Sequence, residues 1–261
     1  MSGNTIRGIK LPDIRSDLDV RIGGQTLNDS NTPMIYDGIG WTVRGYNLHT
    51  ENGVVIFLDV LGMKGIWHRL QPNDVVNRWN KVIRVFMDKL EERPPKGGHF
   101  FRILSDTIII TIPTKLNESA IIEAFDLLLQ PFIESLKLRM LLRGTISYGT
   151  YYLSERLIIG EALDDAAYHH DKFDWTGIAL SPTVSENQVI NTRNRSKDRS
   201  CIFIKSVPHK NTQYDTLVLN WPMFDNDREC YSILKQEEQR GLDPKKYSNT
   251  FTFYESVIKI A

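Results

Sequence analysis

The stretch VVIFLDVLGMKG, residues 54 to 65, sets one aspartate, Asp59, inside an otherwise apolar run. Such a run predicts a strand from Val54 to Val60 that is covered on both faces. An unpaired carboxylate buried there costs several kcal/mol, so something must make Asp59 tolerable, and the charge of a bound metal would do so. Gly62 and Gly65 follow at once, and glycines allow backbone to approach a ligand closely. Amide groups at a following helix start can cradle phosphate, although ordinary turns use glycine too.

The neighbouring segments have a readable order. From Asn73 or Asp74 as N-cap, Val75, Val76, Trp79, Val82, Ile83, Phe86, Met87 and Leu90 recur at helical spacing, and RPPKGG ends that helix. Phe100 to Leu104 and Thr107 to Ile112 are strand-like runs parted only by Ser105 and Asp106, which predicts a hairpin with Asp106 at its tip. Asn117 caps a second helix, with a kink expected at Pro131. LRGTISYGTYYL reads as a strand that turns into RLIIG, and EALDDAAYHHDKF as a third helix. GIALSP, Ile202 to Ile204 and Leu217 to Leu219 read as further strands, with ENQVINTRNRSKDRS a solvated loop between them.

This order predicts an α+β sandwich, a mostly antiparallel sheet with helices on one face. Residues 1–50, rich in Gly, Asn, Asp and Ser, form an N-terminal arm for packing or dimer contact, with a strand or short helix near MIYDGIGW. Residues 51–184 form the core, and 185–261 a C-terminal extension packed on it. In this topology the end of the first strand neighbours the tip of the hairpin, so Asp59 and Asp106 converge. Two converging carboxylates suit hard divalent cations such as Mg²⁺ or Mn²⁺, which prefer oxygen ligands. The alternative is that Asp59 caps the following turn and Asp106 is only a turn residue.

Composition narrows the partners. With 41% apolar and 25% charged residues, the 261-residue chain is an ordinary globular protein. Lys and Arg number 32 and so do Asp and Glu, leaving no global field to attract a nucleic acid. The opening MSGNTIRGIK lacks the apolar core of a signal peptide, and no apolar run approaches the ~20 residues of a membrane span. A cytoplasmic protein with no membrane partner is expected. His169, His170, Cys201 and Cys230 lack zinc-site spacing and read as surface histidines and buried thiols. Arg143 and Lys64 read as phosphate contacts or as solvated charges. Trp67, Trp79, Trp175 and Trp221 are assigned to core or interface.

These residues carry a resemblance. FLDVLGMKG resembles the strand motif of class III nucleotidyl cyclases, whose first metal-binding aspartate follows an aromatic by two residues and precedes a glycine by three. FRILSDTIIIT is similar to their second motif, with Ser105 where the family has glycine. LRGTISYGTYY and IIGEALDDAAYHH resemble the later strand and helix, so the likeness spans roughly residues 53 to 182. Departures fall at the recognition positions. Arg102 stands for the purine-reading lysine and Leu157 for the purine-reading aspartate. Asp164 stands for the asparagine that holds ribose, and Tyr168 for the transition-state arginine.

The combination resembles the Pycsar pyrimidine cyclases of bacterial anti-phage defence. The resemblance implies a class III cyclase-like sandwich that converts UTP to 3′,5′-cyclic UMP and pyrophosphate, whose product activates a separate effector. It implies two Mn²⁺ or Mg²⁺ ions on Asp59, Asp106 and the Val60 carbonyl. Phe57, Leu61, Gly62, Met63, Arg102, Asp164 and Tyr168 would contact the nucleotide. It implies a homodimer with sites at the interface, Asp59 and Asp106 from one subunit and Arg102, Asp164 and Tyr168 from the other. Arg102 offers a fork of donors to uracil O4, where cytosine presents a donor of its own; contact at O2 instead would discriminate nothing. A cytidylate or purine cyclase, and a catalytically silent nucleotide-binding module, are the alternatives.

Overall fold

A computed structural model describes residues 5–6, 9–10, 20–22, 25–27, 49–62, 66–154, 157–186, 200–210, 212–240 and 244–260. The chain divides into two units, residues 1–50 with 152–158, and residues 51–151 with 159–261. In the smaller unit, β1 (Thr5–Ile6) pairs antiparallel with β2 (Ile9–Lys10), and β3 (Val20–Ile22) with β4 (Gln25–Leu27). A turn there is closed by the Ser154 N–H donating to the Leu157 carbonyl at 2.8 Å. The element expected near MIYDGIGW, the loop at 187–199, Met63 and Lys64 lie outside the described residues.

The larger unit is built on one sheet. Its elements are β5 (His49–Val60), α1 (Ile66–Arg69), α2 (Pro72–Glu92), β6 (Phe100–Leu104), β7 (Thr107–Pro113), α3 (Glu118–Lys137) and β8 (Leu142–Leu153). There follow β9 (Ile158–Ile159), α4 (Glu161–Lys172), β10 (Gly177–Leu180), α5 (Pro182–Ser185), β11 (Cys201–Pro208), β12 (Gln213–Leu219), α6 (Glu229–Glu238) and α7 (Pro244–Ile260). The strand order is β11-β12-β10-β8-β5-β7-β6, with β9 beside β8. β10 runs parallel to β8, while β6/β7, β5/β7, β10/β12 and β11/β12 are antiparallel. β5 and β8 also oppose each other: Leu61 N–H reaches the Leu141 carbonyl at 2.7 Å, and Thr150 meets Asn52 at 3.0 Å.

The two faces of β5 do different work. Val54, Ile56, Leu58 and Val60 join the main apolar core with Ile108, Ile110 and Ile112 of β7 and the inner sides of α2 and α3. Alternate residues of a strand point to opposite faces, so Phe57 and Asp59 face the other side. There they meet α4: the His170 ring lies 4.4 Å from that of Phe57, and Ser147 of β8 donates to Asp165 at 2.6 Å. The expectation of helices on one face is therefore corrected. Asp59, Arg143 and Ser147 are too polar for the main core, and α4 supplies them with partners.

Helix ends show smaller corrections. α2 starts at Pro72 with Gln71 as N-cap, ahead of Asn73 and Asp74, because proline's fixed φ suits the first helical turn. It buries Val75, Val82, Phe86 and Leu90 but leaves Val76 and Met87 exposed, so the apolar positions form a wider band than the face that packs. Asn117 caps α3 as expected, its side chain accepting from Ala120 N–H at 2.9 Å. The helix continues through Pro131 to Lys137, with Pro131 buried. Trp175 and Trp221 are fully buried and Trp67 is exposed. Among the described residues, no helix is long and apolar enough to cross a membrane.

Candidate functional site

The β6–β7 hairpin turns on Ser105 and Asp106 alone. Ser105 has φ +58°, the left-handed region that glycine enters most easily. β7 pairs with β5 so that Asp59 faces Thr107, and Val60 N–H donates to the Asp106 carbonyl at 3.2 Å. The turn is thus tied by its backbone to the residue after Asp59, and the two aspartates interact electrostatically. On the far side Gly62, at φ +78°, turns the chain out of the strand.

The counter-charge that Asp59 needs comes from Arg143 on β8, 84 residues away. The Arg143 Nη2 lies 3.2 Å and its Nε 3.4 Å from Asp59 Oδ2. Nη1 donates to the carbonyls of Asp171 at 3.3 Å and Phe173 at 3.2 Å, and Nη2 is 3.5 Å from the Asp171 carboxylate. Arg143 is 8% exposed, which excludes a solvated charge. Sequence reasoning did not pair it with Asp59, nor did it place His170 and Asp171 here. The available signal was symmetrical: LLRGTIS and IFLDVLG are apolar strands that each carry one charge, of opposite sign.

Burial does most to raise the Asp59 pKa. Arg143 pulls it down, Asp106 and Asp171 push it up, and the net direction is upward. For Asp171, burial is outweighed by Lys210 and Arg143, and its pKa is lowered. Burial, with Arg143 adding to it, depresses His170 to about 4. The Ala167 carbonyl at its Nδ1 only partly opposes this, so at neutral pH His170 is an uncharged ring 4.0 Å from Asp59 Oδ2 and not an ion-pair partner. Arg143 is then the cation against Asp59, while Asp106 and Asp171 both add negative charge.

The recognition positions lie in two places. In register, Arg102 faces Ile109 and Ile109 faces Phe57, so Arg102, Phe57 and Asp59 share one sheet face. The Arg102 guanidinium leans along its strand to 4.9 Å from the Phe100 ring. α4 is anchored by Asp165, which accepts from Ser147 and Thr183 at 2.6 Å each. Asp164 and Tyr168 are one turn apart on its outer side; Tyr168 is 60% exposed, with Lys172 Nζ 4.9 Å from its ring. Leu61 spends its N–H on the Leu141 carbonyl, within the loop expected to meet phosphate. A cleft lined by Lys96, Pro113, Asn117 and Glu123 lies at the other end of β7 and contains neither aspartate. Cys201 and Cys230 are buried.

Comparison with known proteins places the fold. No family model and no curated protein sequence matches the chain. Among solved structures, a bacterial light-regulated adenylyl cyclase aligns with TM-score 0.50 at 14% identity, covering 74% of this chain and 58% of its own. The chain thus spans under two thirds of that protein. The catalytic core of a rhodopsin-guanylyl cyclase with converted specificity, in complex with ATPαS, aligns at 0.47 and 15% identity, covering 66% and 97%. An adenylate/guanylate cyclase/hydrolase from Silicibacter pomeroyi aligns at 0.44 and 18%, covering 66% and 96%. The α+β fold is that of class III nucleotide cyclase domains.

Proposed function

We propose that this chain is a nucleotide cyclase that converts UTP to 3′,5′-cyclic UMP and pyrophosphate. The observation that carries the reading is the backbone tie between the end of β5 and the β6–β7 turn, which supports assigning Asp59 and Asp106 to one site.

A divalent cation fits the donor set. Asp59 and Asp171 share one buried guanidinium, and Asp106 and Asp171 add to the rise that burial gives the Asp59 pKa. Among the described residues no group of three or more His, Cys, Asp or Glu forms a ligand cluster. By the resemblance, Asp59, Asp106 and the Val60 carbonyl would hold Mn²⁺ or Mg²⁺, ions that are commonly bound by one or two carboxylates plus substrate phosphates. Bound there, the metal supplies Lewis acidity toward the ribose 3′-hydroxyl and the departing pyrophosphate.

In the reaction the 3′-oxygen bonds to the α-phosphorus, the bridge to the β-phosphate breaks, and the hydroxyl proton is lost. The protein's task is alignment and charge. Arg143 pairs with Asp59 and fixes it by one oxygen. Phe57 gives the sheet face an aromatic surface, and Arg102 presents donors that match the uracil O4 acceptor. Asp164 and Tyr168, exposed on α4, would reach the nucleotide held by the other subunit of a homodimer, with Leu61, Gly62 and Met63 beside the phosphates. The product would act on a separate effector in anti-phage defence.

Arg102→Ala tests the base assignment: the UTP KM rises and discrimination against CTP falls. Unchanged kinetics with all four nucleotides would remove Arg102 from the site. Sedimentation tests the assembly, since the reading requires a dimer at assay concentration and a monomer that turns over contradicts it.

A further inference from the structure

The buried Arg143 binds more than its ion-pair partner. Its three nitrogens are divided between two elements: Nε and Nη2 hold Asp59 Oδ2 on β5, and Nη1 holds the carbonyls of Asp171 and Phe173. Asp171 lies in the last turn of α4, and Phe173 is the C-cap residue of that helix. Helix ends leave such carbonyls without intrahelical partners, and a cation suits that end of the helix dipole. One rigid, permanently charged fork thus joins the end of the helix that displays Asp164 and Tyr168 to a carboxylate at the reaction centre. His170, in the same last turn, packs against Phe57 with the rings tilted by 36° and adds a second contact between α4 and β5.

The other side of this joint is also fixed. Asn249 of α7 donates to the Asp174 carbonyl at 2.7 Å, Thr176 N–H donates to Thr250 Oγ1 at 2.9 Å, and Lys245 pairs with Asp174 at 2.6 Å. Residues 173–176 are buried between these contacts and Arg143. The segment is braced from behind, so displacement of the α4 end is carried forward, through the guanidinium, to Asp59.

We propose that Arg143 is a positioning residue that couples α4 to the carboxylate of Asp59, so that cation binding at Asp59 and the setting of the recognition helix report on each other. By linkage, the coupling acts equally in both directions. The proposal rests on the reading of Asp59 as a cation ligand. It does not require turnover.

The test is Mn²⁺ titration of the full chain without nucleotide, followed by amide hydrogen exchange over residues 169–175. The variants are Arg143→Lys, which keeps the charge and loses the fork, and Asp59→Asn. In the unsubstituted chain, Mn²⁺ slows exchange at the α4 end by about threefold or more. In Arg143→Lys, Mn²⁺ still binds within about threefold of the original affinity, but the slowing is lost. Equal slowing in Arg143→Lys overturns the coupling and leaves the metal reading standing. Mn²⁺ binding that is absent, or indifferent to Asp59→Asn, overturns the metal reading and the coupling with it. Unchanged far-ultraviolet dichroism in the variants shows that neither result comes from unfolding.

Discussion

At Asp59, burial raises the pKa and Arg143 only partly offsets it, with Asp106 and Asp171 adding to the rise. A carboxyl whose folded pKa exceeds its unfolded value contributes most stability below the unfolded pKa, near 3.8, and that contribution is lost as pH rises through the folded pKa. At pH 7 the ionised group therefore costs the apo protein stability. Asp59→Asn is expected to raise the Tm at pH 7, with the gain shrinking as the pH falls toward 4. Thermal unfolding across that range decides it, and a lower Tm at pH 7 would mean that the Arg143 ion pair outweighs burial. The sequence showed the anomaly, a lone aspartate in an apolar strand, and pointed to metal charge as its relief; that an arginine 84 residues away pairs with it was not legible, because no local pattern joins the two strands.

At the scale of elements, the hairpin and helices were legible where local chemistry was decisive. Two apolar runs parted by two polar residues folded as a tight hairpin, and Asn117 capped its helix. Legibility failed where a neighbour decides. Val76 and Met87 fit the helical period of α2 yet stay exposed, because only one side of the helix meets the sheet and α3. The position of α4 on the opposite sheet face follows from contacts of Asp165, His170 and Arg143 that no local pattern announces. The hairpin itself carries a strained residue, Ser105 at φ +58°. Ser105→Gly is expected to stabilise the protein by about 1 kcal/mol, since glycine meets no Cβ clash in that region. Urea unfolding measures this, and a loss of stability would show that the serine hydroxyl outweighs the strain.

For the whole molecule, the larger unit places catalytic and recognition candidates on separate elements of one sheet-and-helix body. Asp59, Asp106, Phe57 and Arg102 belong to the β5-β7-β6 side of the sheet, and Asp164 and Tyr168 to the outer side of α4. In the proposed homodimer, Asp59 and Asp106 of one copy would meet Arg102, Asp164 and Tyr168 of the other. The fold carries no preference for uracil, since base choice rests on a few side chains at the rim. The most direct measurement is incubation of the purified chain with ATP, GTP, CTP and UTP separately, with Mn²⁺ and with Mg²⁺, and identification of products by mass. The account predicts cyclic UMP and pyrophosphate from UTP, lost in Asp59→Asn and Asp106→Asn. Nucleotide binding with no cyclic product from any of the four, or turnover that survives both substitutions, would contradict it.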